Sequence, residues 1–217
     1  MTPGTERYYD QRASEYDRVY EKPERRDDIA ELHAMIGDAL IGRRVLELAT
    51  GTGFWTEHYA DDATSVTATD INDSTLAVAH RRRAWPDTVR FERADAFDVV
   101  RITGYFDAVF AGFLWSHVPL DQLDDLLAGI VERVEPGAVV VFADNNYVHG
   151  SNHPIVRTDA DGNTFQRRTL SDGTEWEVLK NFPGHEDLAS RLARYGERVE
   201  VRSLRYFWMA RFTTRTG

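Results

Sequence analysis

Gly51 and Gly53 stand two residues apart, directly after the short apolar run Arg43-Arg44-Val45-Leu46-Glu47-Leu48-Ala49. Glycines at a strand end let the backbone approach a ligand closely, and a helix expected from about Phe54 to Ala60 turns its positive end to the same place. That arrangement suits a nucleotide-like ligand. Asp70 follows Gly51 by 19 residues, at the end of the next expected strand, where an acid can accept both hydroxyls of a ribose. Together the turn and the acid point to adenosine. The dinucleotide fingerprint Gly-x-Gly-x-x-Gly is incomplete, because Thr56 stands at the third position.

These groups need a scaffold, and the chain alternates in the rhythm of one. Strands are expected at 43–49, 65–69, 89–91, 106–111 and 138–143, with helices over 54–60, 74–85 and 120–134 between them. Such alternation argues for βαβ units and a parallel, doubly wound α/β sheet. Pro23 separates two amphipathic helical patterns in residues 5–40. Beyond Asp144 the rhythm breaks. Residues 145–163 are polar, and Thr164–Leu170 and Thr174–Leu179 flank Ser171-Asp172-Gly173 as a hairpin. A last helix marked by Leu188 and Leu192 precedes two closing strands, the second antiparallel to the rest. The division expected is one domain over 1–217: a helical lid at 1–42, a cofactor-binding core at 43–144, a substrate cap at 145–183 and a closing unit at 184–217.

Composition narrows the class. With 217 residues, 42% of them hydrophobic, the chain can bury a core. It has no cysteine, which excludes disulfides and thiolate-held metals and fits a cytoplasmic location. Neither a signal-peptide pattern nor a membrane span is expected. A net charge of −10 disfavours nucleic acid as a partner, and the basic spots Arg81-Arg82-Arg83 and Arg167-Arg168 lack interleaved aromatics. The chain is expected to be a monomer or homodimer.

In order and spacing, Val45-Leu46-Glu47-Leu48-Ala49-Thr50-Gly51-Thr52-Gly53, Thr69-Asp70-Ile71-Asn72, Asp95-Ala96-Phe97, Phe106-Asp107-Ala108-Val109-Phe110 and Val134-Glu135-Pro136-Gly137-Ala138 resemble the class I S-adenosylmethionine-dependent methyltransferases of the small-molecule kind. The resemblance implies a Rossmann-like seven-stranded sheet with its last strand antiparallel, helices on both faces, and S-adenosylmethionine as cofactor. It implies backbone contacts from Ala49, Gly51 and Gly53, with Glu47 orienting the methionine end. Asp70 would hold the ribose, Ile71 would pack on the adenine, and Asp95, Ala96 and Phe97 would border the adenine amino group. Tyr16, with Tyr8 and Tyr9, falls in a segment that folds over the cofactor as a lid in relatives.

The loop after the fourth strand faces the reaction centre in that family, which makes His117 the candidate general base and Phe113 and Trp115 candidate walls. Asn145, Asn146, Tyr147, His149 and His153 follow the fifth strand, where acceptors bind, and Asn145, Tyr147 and His149 are carried forward with Trp115 as substrate contacts. Trp115, Tyr147, Phe165 and Trp176 could wall a pocket for a planar ring. Arg157, Arg167 or Arg168 could pair with a substrate carboxylate. His149 and His153 lack an accompanying carboxylate at helical spacing, and no metal is expected. The implied activity is methyl transfer to an oxygen or nitrogen of a small molecule. A nicotinamide-dependent oxidoreductase and a non-catalytic S-adenosylmethionine-binding protein are the alternatives; tight binding of NAD would favour the first.

Overall fold

The structure, a computed structural model, describes Asp17 and residues 20–170 and 173–216. Tyr8, Tyr9 and Tyr16, the rest of the first helical pattern apart from Asp17 and Tyr20, and Ser171 and Asp172 of the hairpin turn lie outside the described residues.

Each expected strand forms close to its reading: β1 (Arg44–Leu48), β2 (Ser65–Asp70), β3 (Val89–Arg93), β4 (Ala108–Gly112) and β5 (Val139–Asn145). They pair in parallel, and β10 (Phe207–Thr214) joins β5 antiparallel, with β9 (Gly196–Ser203) outside it. The order β3-β2-β1-β4-β5-β10-β9 reverses direction between β1 and β4. At such a switch point two neighbouring connections leave on opposite faces, and the strand ends open into a crevice.

Side chains alternate across the pleat, so each central strand feeds two cores. Val45, Phe110 and Val141 meet α1 (Arg26–Leu40) through its Ile29, Leu32, Ile36 and Leu40. Leu46, Leu48, Val109, Val140 and Phe142 meet α4 (Leu123–Arg133) and α5 (His185–Leu192) on the other face. Both faces are covered, which explains why the strands read as continuous apolar runs. The helix α2 (Thr56–Tyr59) is a single turn after the glycine loop, and α3 (Asp73–Arg82) ends before Pro86 as expected.

The cap departs from its reading in one respect. The segment taken as loop contains a strand, β6 (Ile155–Thr158), which completes a three-stranded antiparallel sheet with β7 (Thr164–Thr169) and β8 (Glu175–Leu179). All four residues of β6 are exposed, so there is no buried face to give the alternation that marks a strand.

Candidate active site

The crevice holds a pocket of about 590 Å³, open to solvent, that runs from Gly51 and Asp70 to Gly112, Phe113 and His117. At its floor Ala49 and Gly51 both take left-handed backbone, φ 55° and 58°. A side chain is strained there, a cost that Ala49 bears and Gly51 does not. Asp70 is buried at the end of β2. Its Oδ2 accepts the Gly51 amide and its Oδ1 the Asn72 amide, each at 2.9 Å. Burial pushes this carboxyl above the ordinary value, and the two amides work against that shift.

The opposite wall is aromatic. Phe113, also left-handed at φ 61°, stacks on Trp55 with centroids 5.2 Å apart, and Tyr20 stacks on Phe54 at 4.1 Å. Trp55 Nε1 donates to the Tyr20 hydroxyl at 3.1 Å. Asp17 ties the start of the described chain across the glycine loop, accepting from Thr52 Oγ1 at 2.6 Å and from Arg82 Nη1 at 2.5 Å. Sequence reasoning missed Tyr20, Thr52, Phe54 and Trp55 as lining residues; Phe54 and Trp55 follow Gly53 directly, and that position was the available signal.

Several expected contacts lie elsewhere. Gly53 does not line the pocket; its φ is 75°, and a Cβ there would meet Ala79 of α3 at 3.2 Å, so it serves the close packing of loop on helix. Glu47 is buried beneath the loop, where its Oε2 accepts Thr56 Oγ1 and the Tyr59 hydroxyl at 2.7 Å each. Burial raises its pKa to about 7. Ile71 and Asp95 border a neighbouring depression, the Asp95 carboxylate accepts the Phe97 amide, and Ala96 and Phe97 pack on the core. Trp115 is 2% exposed and packs edge-on against Phe142 and Trp208, a core residue rather than a wall of this pocket. Tyr147 is exposed against Phe182, Phe165 lies under Arg157, and Trp176 pairs across from Arg168, so the four aromatics do not converge on one ring site. His149 and His153 are exposed, and Asn146 spends its amide on the carbonyls of Leu204 and Phe207.

His117 sits at the pocket's far end, 3% exposed. Its Nδ1 donates to the Leu179 carbonyl at 2.7 Å, which leaves Nε2 as the acceptor nitrogen of the ring. Burial first, then the charges of Lys180 and Arg168, hold its pKa well below 6.5. Lys180 is itself buried, donating to Asp144 Oδ1 at 2.9 Å and Ser116 Oγ at 2.6 Å. Burial lowers its pKa to about 8, with Asp144 opposing. Asn145 bridges Asp144 to a second buried cation: its Nδ2 donates to Asp144 Oδ1, and its Oδ1 accepts Arg25 Nη1 at 3.4 Å. Arg25 otherwise bonds Ser151 and faces the rings of Tyr206 and Phe207. Neither Lys180 nor Arg25 carried a sequence signal, although Asp144 stands near the carboxyl end of β5.

Of the cap arginines, Arg157 pairs with Glu177 on the outer surface, Arg167 is exposed, and Arg168 reaches the field of His117 and Lys180. Arg82 and Arg83 are engaged by Asp17, Glu57 and Asp61. Among the described residues no cluster of three or more His, Cys, Asp or Glu could hold a metal, and no helix is long and apolar enough to cross a membrane.

Residues 45–137 match the methyltransferase domain family. A demethylmenaquinone methyltransferase of Clavibacter sepedonicus is 36% identical over 105 residues, 48% of this chain and 41% of that protein. A malonyl-[acyl-carrier protein] O-methyltransferase of Enterobacter lignolyticus is 29% identical over 122 residues, 52% and 45% of the two chains. Less than half the length of these curated relatives is therefore matched. Among solved structures, the DhpI–SAH complex superposes with a TM-score of 0.79 at 31% identity over 99% of this chain and 97% of that one. The DhpI–SAM–HEP complex gives 0.76 at 32%, over 97% and 98%. A relative this similar over nearly its whole length, on a sheet of this order, settles the affiliation: the chain belongs to the class I S-adenosylmethionine-dependent methyltransferases.

Proposed function

We propose that the pocket binds S-adenosylmethionine and that the chain transfers the methyl group to an oxygen of a small anionic molecule held between His117 and the cap. The observation that carries the reading is the continuity of the pocket from Asp70 to His117. Asp70, an acceptor-only carboxylate fixed by two amides, suits a ribose diol, and Ala49 and Gly51 offer bare backbone beside it. When bound, S-adenosylmethionine supplies an electrophilic methyl on a good leaving group, so the protein has chiefly to position the acceptor and keep it unprotonated. Tyr20, Phe54, Trp55 and Phe113 would exclude water.

Charge favours an anion over an amine. Lys180 and Arg25 are both buried; Lys180 pairs with the buried carboxylate Asp144, Arg25 reaches that carboxylate only through the Asn145 side chain, and Arg168 adds positive field at His117. Buried charge in excess asks for a counter-charge. Cations that hold the non-reacting oxygens of a carboxylate or similar group leave another oxygen for methylation, and an oxyanion has no proton to lose. For a hydroxyl acceptor, His117 Nε2 would receive the proton instead. The O-methyltransferase named above and the DhpI complexes with SAM and SAH are consistent with this reading.

The test is calorimetric titration with S-adenosylmethionine, S-adenosylhomocysteine and NAD, followed by methyl-transfer assays on small carboxylates, phosphate esters, phenols and amines. Micromolar binding of the adenosyl ligands and methylation of the acids is expected. Binding of NAD alone would overturn the cofactor, and methylation confined to amines would overturn the acceptor.

A further inference from the structure

The end of β8 does more than close the cap. Leu179, Lys180 and Asn181 lie along the turn 116–120 and grip it at successive points. The Leu179 carbonyl takes His117 Nδ1 at 2.7 Å, Lys180 Nζ reaches Ser116 Oγ at 2.6 Å, and the Asn181 amide donates to the Ser116 carbonyl at 2.8 Å. Asn181 then uses its whole side chain. Its Nδ2 donates to the Val118 carbonyl and to Asn163 Oδ1, each at 3.1 Å, while its Oδ1 accepts the Thr164 amide at 2.9 Å. Asn163 completes the grip by accepting the Leu120 amide at 2.9 Å. Both asparagines are buried, at 5% and 4% exposure.

A buried polar network in which each member is satisfied fixes one geometry, because any slip strands a donor or acceptor away from water. Here the geometry fixed is that of His117. A neutral imidazole can carry its proton on either nitrogen, and the hydrogen bond made by one decides what the other can do.

We propose that residues 179–181 of the cap are part of the catalytic apparatus: they hold His117 as the Nδ1–H tautomer, with Nε2 as the nitrogen presented to the acceptor, and Asn181 is the positioning residue. The cap thereby sets the chemistry of a residue that belongs to the cofactor-binding core. This rests on the reading of His117 as the group that faces the acceptor.

Histidine tautomers are read directly by long-range proton–nitrogen correlation in protein labelled with nitrogen-15 histidine, saturated with S-adenosylhomocysteine, the His117 signals being assigned by their loss in His117→Gln. The wild type is expected to show protonated Nδ1 and unprotonated Nε2 throughout. Asn181→Ala is expected to mix the tautomers and to lower turnover at least tenfold, with S-adenosylhomocysteine affinity within twofold. Asn163→Ser, which loosens the same grip from the other side, should move both readouts in the same direction. A wild-type Nε2–H tautomer would overturn the proposal, even if neither variant folds; so would folded variants with unchanged tautomer and turnover. Failure of the methyl-transfer reading would appear separately, as absent cofactor binding or an absent methylated product.

Discussion

The hydroxyl of Tyr59 lies 2.7 Å from Glu47 Oε2, in a pair sealed under the glycine loop. A carboxyl there has a folded pKa of about 7 against an ordinary 4.5. The folded state therefore holds the proton that the unfolded state gives up between these values, and stability falls as pH rises through 7. The difference amounts to roughly 3 kcal/mol. Glu47→Gln keeps an acceptor for Thr56 and Tyr59 without an ionisable group. Urea unfolding should find the variant as stable as the wild type or less so at pH 5, and more stable at pH 8. Parallel pH profiles would refute the assignment.

The stacked imidazoles of His33 on α1 and His58 after the glycine turn, with centroids 3.5 Å apart, have the opposite sign. Burial and then His58 lower the pKa of His33 to about 4, so the unfolded state binds the extra proton and stability is lost as pH falls from 6.5 to 4. Discounted for solvent screening of a half-buried ring, about 1–2 kcal/mol is at stake. His33→Phe should soften this acid loss, measured as the difference in urea midpoint between pH 7 and pH 4.5.

Asp70→Ala removes the proposed ribose acceptor and frees the Gly51 amide. Loss of a charge-assisted contact of about 1.5–3 kcal/mol predicts S-adenosylhomocysteine binding weakened roughly ten- to a hundredfold, with the circular dichroism spectrum kept. Unchanged affinity in calorimetry would remove Asp70 from the site.

Ala49→Gly relieves a left-handed backbone that costs a side chain about 1–2 kcal/mol, offset by the greater freedom of glycine in the unfolded chain. The variant should match the wild type in stability or exceed it by up to about 1 kcal/mol. Destabilisation beyond that in thermal melts would show that the Ala49 methyl packs usefully.

What could be read from the residues was what local chemistry determines. Apolar runs gave the strands, and Gly51 with Asp70 two groups that meet at one pocket, because each depends on neighbours within one βαβ unit. Lys180 and Arg25 were invisible, since their meaning lies in partners such as Ser116 and Ser151, far along the chain. Trp115 shows a related effect: an aromatic in a loop after a strand has the same composition whether it faces ligand or core, and its packing on Phe142 and Trp208 is set by residues far along the chain.

The antiparallel pairing of β10 with β5 puts Phe207 opposite Asn145, so the chain leaves the sheet for the cap and later returns to the strand it left. Closing such an excursion costs little more when it lengthens, about 0.6 kcal/mol per doubling for a flexible loop. The cap is consequently the part of this fold most open to replacement. The sheet can stay intact while this excursion is exchanged, provided the newcomer still supplies a carbonyl to the Nδ1 of His117.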